Sequence, residues 1–452
     1  MAQEVGSDVG PVADWHGRAV KITPEWRVYG LGAALCLALM ICSRHFDDRG
    51  GPYFNASLAA AGIAYLLGLR EFFARSAFPR RVVIVGLMLA AVWHVVFLRL
   101  PPGADDDIHR YVWDGRLQRL GYNPYLVIPS DPAVEELHTT ETRNLNNSDL
   151  PSLYPPGAQL FFRVVTAISE STFAFKVAFV ICDLVIVLLL LDLLRCRGQG
   201  AHLVLAFAWN PLLAIEVAGS GHIDIVGALL LTLSAAALMR RWRATAAAAL
   251  GLAIAVKFLP LVLLPLYWKR VRVRDAALAA ALVGLLYVPF LNHGHIPTGS
   301  LGTYVQTFRF NGPVFELLSQ IASPQFLALL AVLAGLGTAV WLRRTVREWT
   351  PELFVWPLAA TLLFAPAVFP WYLLWLLPFV TSASTLLIVV WTVSIYPTYI
   401  NWHLRTLGHG WGALPKWVML LEYGLLGIAA SIIALRRSQH SRVPQCSTEE
   451  AP

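Results

Sequence analysis

Twelve apolar runs alternate with short charged segments along most of the chain, at about 28–43, 57–73, 81–100, 172–194, 201–218, 222–240, 244–268, 275–291, 324–342, 352–380, 384–400 and 415–435. A helix needs about 20 residues to cross the hydrocarbon of a bilayer, and most of these runs approach that length. They are solid, without the two-residue alternation of a membrane barrel. Only 14% of the 452 residues are charged, against about 25% in soluble domains. The apolar share is 57% and the mean hydropathy +0.59. These figures exclude an ordinary soluble enzyme, a disordered chain and a disulfide scaffold. The fold class expected is all-α, a polytopic transmembrane helical bundle.

Five cysteines, with no CxxC and no Cys/His cluster, suggest neither zinc nor a redox centre. The polar start, 1–27, carries Glu4, Asp8, Asp14 and Glu25 and lacks the basic character of a cleaved signal peptide, so the first apolar run is expected to stay as a span. Basic clusters set the sidedness. They are Arg75/Arg80/Arg81, Arg195/Arg197, Arg240/Arg241/Arg243, Lys269/Arg270/Arg272/Arg274, Arg343/Arg344/Arg347 and Arg436/Arg437. All can be cytoplasmic only if 244–268 turns back at Lys257–Pro260 and 352–380 turns back between Pro366 and Pro370. The reading is then roughly 14 helices, some short of full spans, with a cytoplasmic segment 1–27, a membrane domain 28–435 and a cytoplasmic tail 436–452. In a membrane chain the placement of the +7 net charge matters more than its sum, and no nucleic-acid partner is expected.

This topology leaves one large outer loop, 101–158, and smaller ones at 44–56, 219–221, 292–323 and 401–414. The large loop holds Asp105, Asp106, Asp107, Asp114, Asp131, Glu135, Glu136, Glu141 and Asp149 against Arg110, Arg116, Arg119 and Arg143. Pro101-Pro102 stops the preceding span. Asp105 or Asp106 can cap a helix starting near Asp107, which puts Asp107, Arg110, Tyr111 and Asp114 on one face. Ile108, Val112 and Trp113 suit an interface, so a short helix along the outer membrane surface is expected. Adjacent aspartates repel, and one pKa can rise. Such a carboxylate can take a proton from a hydroxyl or bind a divalent cation. The plainer reading is a helix cap with solvated charge; it suits Asp105 better than Asp107.

At these residues the chain resembles a known class. Asp106-Asp107-Ile108-His109-Arg110-Tyr111-Val112-Trp113-Asp114-Gly115-Arg116, then Gly121-Tyr122-Asn123-Pro124-Tyr125 and Tyr154-Pro155-Pro156, look like the first outer loop of GT-C glycosyltransferases. The similarity is greatest to bacterial polyprenol-phosphate-mannose-dependent mannosyltransferases. Trp209-Asn210-Pro211, Gly221-His222-Ile223-Asp224, Lys257-Phe258-Leu259-Pro260, Arg309-Phe310-Asn311-Gly312 and Pro370-Trp371-Tyr372-Leu373-Leu374-Trp375 fit the same group. The resemblance implies a GT-C-like fold, a polyprenyl-phosphate sugar donor, an outer-face active site and an aspartate base, placed on Asp107 or Asp106 with Asp107 preferred. Two departures stand out. The loop follows the third apolar run, where many relatives have it after the first, and His109 stands where a tyrosine is expected.

The implied reaction is an inverting displacement in which Asp107 deprotonates the acceptor hydroxyl and polyprenyl phosphate leaves. The leaving phosphate needs positive charge or hydrogen-bond donors. Candidates are Arg110, His222, Lys257 and Arg309; Tyr111, Asp114, Asp224 and Asn311 complete the expected substrate-binding set. A lysine inside an apolar run, as Lys257 is, is expensive and usually marks function, although it could also snorkel to a headgroup. Glu216 invites the same suspicion, with a helix–helix hydrogen bond as the plainer account. Tyr154, Trp371, Tyr372 and Trp375 read as an aromatic belt, or as sugar-stacking rings. Asp105-Asp106-Asp107 offers oxygen ligands for Mg or Mn, which some members of the class do without. The acceptor is a glycolipid, glycan or protein. Competing readings are a transporter or lipid flippase, a non-catalytic scaffold, and a transferase of the same fold for arabinose, glucose or an amino sugar.

Overall fold

A computed structural model describes residues 25–103, 106–143, 145–410 and 414–440. Asp105, most of the segment 1–27 and the last twelve residues of the tail lie outside the described residues.

The described chain is helical throughout, with isolated bridges but no strand. Its helices are α1 (Trp26–Arg44), α2 (Pro52–Phe73), α3 (Arg80–Leu98), α4 (Ile108–Arg119), α5 (Pro156–Ile168), α6 (Thr172–Cys196), α7 (Leu205–Ala208), α8 (Asp224–Met239) and α9 (Arg243–Val256). There follow α10 (Leu264–Tyr267), α11 (Val273–Tyr287), α12 (Leu301–Thr307), α13 (Pro313–Leu318), α14 (Pro324–Thr345), α15 (Val355–Leu363), α16 (Leu386–Ser394), α17 (Ile400–Thr406) and α18 (Lys416–His440). Among the described residues eight helices are long and apolar enough to cross a membrane, or nine if the bent pair 201–208 and 213–219 is one span. The chain is a multi-pass membrane protein.

The breaks in the helices follow from sequence. The bent pair turns by 67° at Trp209-Asn210-Pro211, where proline removes a backbone donor. Trp209 is driven between α1, α2 and α3, where Gly32 and Gly68 leave room for its ring, and its Nε1 donates to the Gly86 carbonyl at 2.9 Å. Asn210 donates to Thr392 at 2.9 Å and accepts the Leu212 N–H at 3.0 Å. The two expected hairpins are also present. Lys257 is extended (φ −157°, ψ 140°) after α9, and Pro260 opens the return through 259–267. Likewise α15 ends at Leu363 and a 3₁₀ turn, Pro370–Trp375, begins the return.

These turns fix one working end. The N-terminus of α8 and the C-terminus of α9 carry Asp224 and Lys257, whereas their opposite ends carry Arg240, Arg241 and Arg243. Arg241 and Arg243 there share a cleft with Arg272 and Arg274.

The surface helix expected in the acidic loop is instead a buried one. In α4, Ile108, Arg110 through Gly115, Leu117 and Gln118 are all buried. Tyr111 stacks on Phe162 of α5 at 4.6 Å, and the described residues of 120–143 and 145–155 fold over the other side. Trp113 stacks on His138 at 4.0 Å and joins Leu117 and Leu145 in a small second core. His109, the departure from the expected tyrosine, ties Glu141 and Gly103 carbonyls together at 2.6 and 3.1 Å. Once that covering layer exists, an amphipathic helix has no bilayer face left to occupy.

Candidate active site

The loops assigned to one side converge on a cavity of about 680 Å³. Its wall includes Asp106, Asp107, Arg110, Tyr154, His222, Asp224, Lys257, Tyr304, Trp371, Tyr372, Trp402 and Arg405. Both hairpin tips therefore reach the same space as the acidic loop.

The neighbouring aspartates differ sharply. Asp106 is 3% exposed and accepts from Arg49 Nη1 with both oxygens, at 2.9 and 3.0 Å. Gly103 N–H adds a third bond at 2.7 Å, and the same Arg49 nitrogen donates to Ser220 Oγ at 2.5 Å. Asp107 stands at the N-cap position of α4, but its side chain does not cap the helix. It accepts instead from Asn146 Nδ2 at 2.7 Å and Tyr154 O–H at 3.0 Å. Both of these donors are neutral side chains.

Asp224 opens α8 and turns its carboxylate inward, where Lys257 Nζ donates at 2.7 Å and Trp375 Nε1 at 2.5 Å. The ammonium lies 3.7 Å from the centre of the Tyr372 ring, a cation–π geometry. Tyr372 O–H in turn meets Tyr304 O–H at 2.7 Å. Lys257 does not snorkel; it is spent on a buried carboxylate and an aromatic face. His222 stacks on Trp371 at 4.0 Å with the planes 8° apart, and Phe369 stacks behind Trp371 at 4.5 Å. Tyr154, Trp371, Tyr372 and Trp375 are thus ligands of the polar site and not a belt at the membrane interface.

Arg110 lines the cavity and donates to the Asn147 and Leu150 carbonyls at 2.9 and 2.7 Å, while its Nη1 is buried without a hydrogen-bond partner. Four expected site residues do not reach the cavity wall. Tyr111 lies in an aromatic cluster beneath it, with Phe162, Phe175 and Phe179. Asp114 is fully buried and accepts from Ser152 at 2.5 Å and Gln159 at 2.8 Å. The guanidinium of Arg309 is consumed by the carbonyls of Val305, Gln306 and Phe308 at the end of α12. Asn311, at φ +52°, donates to Glu422 of α18 at 2.8 Å. A one-face helical pattern grouped Tyr111 and Asp114 with Asp107, but on α4 both side chains are buried away from the cavity wall.

Sequence reading missed Arg49, Asn146 and Glu216's partner Tyr399. Arg49 belongs to none of the motifs read in the sequence. Its one signal was an arginine in an otherwise small outer loop facing a loop rich in aspartate.

Asp106 and Asp107 have separate donor sets, and Asp105, the third of the run, lies outside the described residues. Among the described residues no group of three or more His, Cys, Asp or Glu side chains is placed to hold an ion.

The sequence model of the alpha-(1->6)-mannopyranosyltransferase family (MptA/B), N-terminal domain, matches residues 38–271, just over half of the chain. The chain belongs to that family. It is a membrane glycosyltransferase of the mannosyltransferase group, and the transporter and scaffold readings fall away. The matched region contains Arg49, Asp106, Asp107, Arg110, His222, Asp224 and Lys257; the aromatic partners Tyr304, Trp371 and Tyr372 lie beyond it. No curated protein matches the chain. Among solved structures, a crystal structure of ArnT from Cupriavidus metallidurans bound to undecaprenyl phosphate is similar over 78% of this chain and 72% of that one, at 17% identity and a TM-score of 0.42.

Proposed function

We propose that the protein transfers mannose from a polyprenyl-phosphate donor to a hydroxyl of a glycan or lipid acceptor, with inversion at the anomeric carbon. The observation that carries this reading is the state of Asp107. It faces the cavity with neutral donors only, whereas Asp106 and Asp224 are each matched to a cation. A cavity-facing carboxylate held only by neutral donors is placed to accept a proton from an acceptor hydroxyl. Asp107 takes the acceptor proton, the acceptor oxygen bonds to the anomeric carbon, and the bond from that carbon to the phosphate oxygen breaks. The electron pair leaves on polyprenyl phosphate.

His222, Arg110 and Arg405, all on the wall, supply the positive charge that a developing phosphate dianion needs, while Lys257 is held by Asp224. The family description specifies a 1→6 linkage, which makes a primary 6-hydroxyl of a mannose the fitting acceptor atom. Basic residues stand at the ends of α8 and α9 opposite the cavity, which supports a site on the extracytoplasmic side of the inner (plasma) membrane with both termini cytoplasmic.

The test is sugar transfer by the purified protein in liposomes, with mannosyl-phosphoryl-polyprenol and a panel of mannose-terminated acceptors. Transfer is expected in the wild type and lost in Asp107→Asn. Undiminished transfer by the variant overturns the assignment of the base.

A further inference from the structure

Glu216 takes no part in the displacement, yet its surroundings are those of a site residue. It lies on Leu213–Gly219, a π-helical turn, a form that recurs at functional positions. The chain then doubles back. The Gly221 and His222 N–H groups both donate to the Glu216 carbonyl, at 3.1 and 2.9 Å. Gly221 makes this possible at φ +79°, a conformation that disfavours a side chain. The imidazole is laid over the carboxylate as a result.

His222 Nδ1 is 2.9 Å from Glu216 Oε2 and 3.3 Å from the Glu216 carbonyl oxygen. The other carboxylate oxygen accepts from Tyr399 O–H. Glu216 and His222 are each 1% exposed. Trp371 and Phe369 hold the plane of the imidazole from one side. With Nδ1 committed to Glu216, Nε2 is the ring nitrogen that His222 offers to the cavity it lines.

Burial disfavours a charge on His222, but the carboxylates around it outweigh that and favour its cationic form. Glu216 faces it from its own turn, and Asp106 and Asp107 face it from the start of α4. Arg49, from the α1–α2 loop, sits among Asp106, Glu216 and Tyr399 but is bonded to Asp106. Across the cavity, Lys257 is matched by Asp224, and Arg405 lies further along the wall.

We propose that Glu216, anchored by Tyr399, is a positioning residue that fixes His222 as an Nε2–H donor to the phosphate of the lipid-linked sugar. This rests on the polyprenyl-phosphate reading above. No proton is transferred; the imidazolium donates a hydrogen bond to a non-bridging phosphate oxygen, and that bond strengthens as the bridging bond breaks.

The test is binding of farnesyl phosphate to the full-length protein in detergent, measured by calorimetry across pH, with melting temperature recorded for each variant. Wild-type binding is expected to weaken as pH rises through the imidazole titration. Glu216→Gln is expected to weaken binding about tenfold at neutral pH and to move that fall about one unit lower, with unchanged melting. The phosphate's own second ionisation, near pH 6, is common to every variant and cancels in the comparison. Glu216→Gln combined with His222→Gln is expected to bind no worse than His222→Gln alone, because the carboxylate acts only through the ring.

If Glu216→Gln does not fold, Tyr399→Phe is expected to weaken binding about threefold on its own and not at all in the His222→Gln background. Superimposed pH profiles, or losses that simply add, overturn the role of Glu216 while leaving the donor reading intact. Wild-type protein that binds no farnesyl phosphate at any pH overturns both.

Discussion

Arg49 Nη1 bridges the two carboxylate oxygens of Asp106 at 2.9 and 3.0 Å, across 57 residues of sequence. The pair is buried and fixes the start of the acidic loop against the α1–α2 turn. It also fixes Ser220, at the head of the turn that carries His222. Removing one partner leaves an uncompensated buried charge, which costs about 3–5 kcal/mol. Arg49→Met and Asp106→Asn are therefore expected to lower the melting temperature of the detergent-solubilised protein markedly. The double variant should recover part of the loss, since neither charge is then stranded. Equal melting of wild type and single variants would show that the pair has no anchoring role.

Asp107→Asn is expected to behave in the opposite way. The amide keeps the volume of the carboxylate and retains an oxygen for Tyr154 or Asn146, so stability should stay within about 1 kcal/mol. The rate constant for transfer should fall by about 10²–10⁴, the usual contribution of a general base. Equal loss of activity and stability in this variant would return Asp107 to a structural part.

The contrast between these aspartates shows what the sequence could and could not disclose. The apolar runs, both hairpin breaks and the grouping of Asp107, Arg110, His222, Asp224 and Lys257 were legible. Each leaves a local mark: a long apolar stretch, a proline, or a charge where hydrocarbon is expected. Arg49 left no such mark, because its meaning comes from a partner brought close only by the fold. The belt reading of Trp371, Tyr372 and Trp375 failed for a related reason. An aromatic residue at a predicted span end looks the same whether it faces lipid or a buried carboxylate. Arg309 and Asn311 failed in the reverse sense. A motif placed them in the site, but backbone carbonyls hold the Arg309 guanidinium and Glu422 holds the Asn311 Nδ2.

The reaction is expected to be independent of divalent cations. Asp106 gives both oxygens to Arg49, and Asp224 gives Oδ1 to Lys257 and Trp375. Asp107 is then the single described carboxylate of the three without a cationic partner, and a hard cation prefers six or more oxygen ligands. Initial rates should be unchanged after exhaustive treatment with EDTA and after addition of Mg or Mn. A rate abolished by EDTA and restored by either metal would contradict this.

Gly227 lies one turn after Asp224 on α8, and a β-carbon there would run into the indole of Trp375. Trp375 is fully buried and donates to Asp224, so it has little room to retreat. Overpacking of this kind costs about 1–3 kcal/mol. Gly227→Ala is expected to lose stability in that range and also to raise KM for the donor, because the Asp224–Lys257 pair moves with the indole. Wild-type kinetics and melting in Gly227→Ala would show that the indole does not position the pair.

Asp114 supplies a prediction on pH. Burial raises its carboxyl above the usual carboxylate range, and the charge of Arg110 and the donors Ser152 and Gln159 offset that only in part. The unfolded chain has the ordinary value, near 4. Between the two values the folded protein holds the extra proton, so rising pH favours the unfolded state. The contribution of Asp114 to stability is thus fully present below about pH 4 and is lost as pH rises through the raised value. Asp114→Asn removes the ionisation and keeps an oxygen for Ser152 and Gln159. Its melting temperature relative to wild type should therefore climb as pH is raised from about 4 to 7. Thermal melts of both proteins across that range measure the difference, and a gap that stays constant or narrows would mean that Asp114 is ionised in the folded protein at no cost.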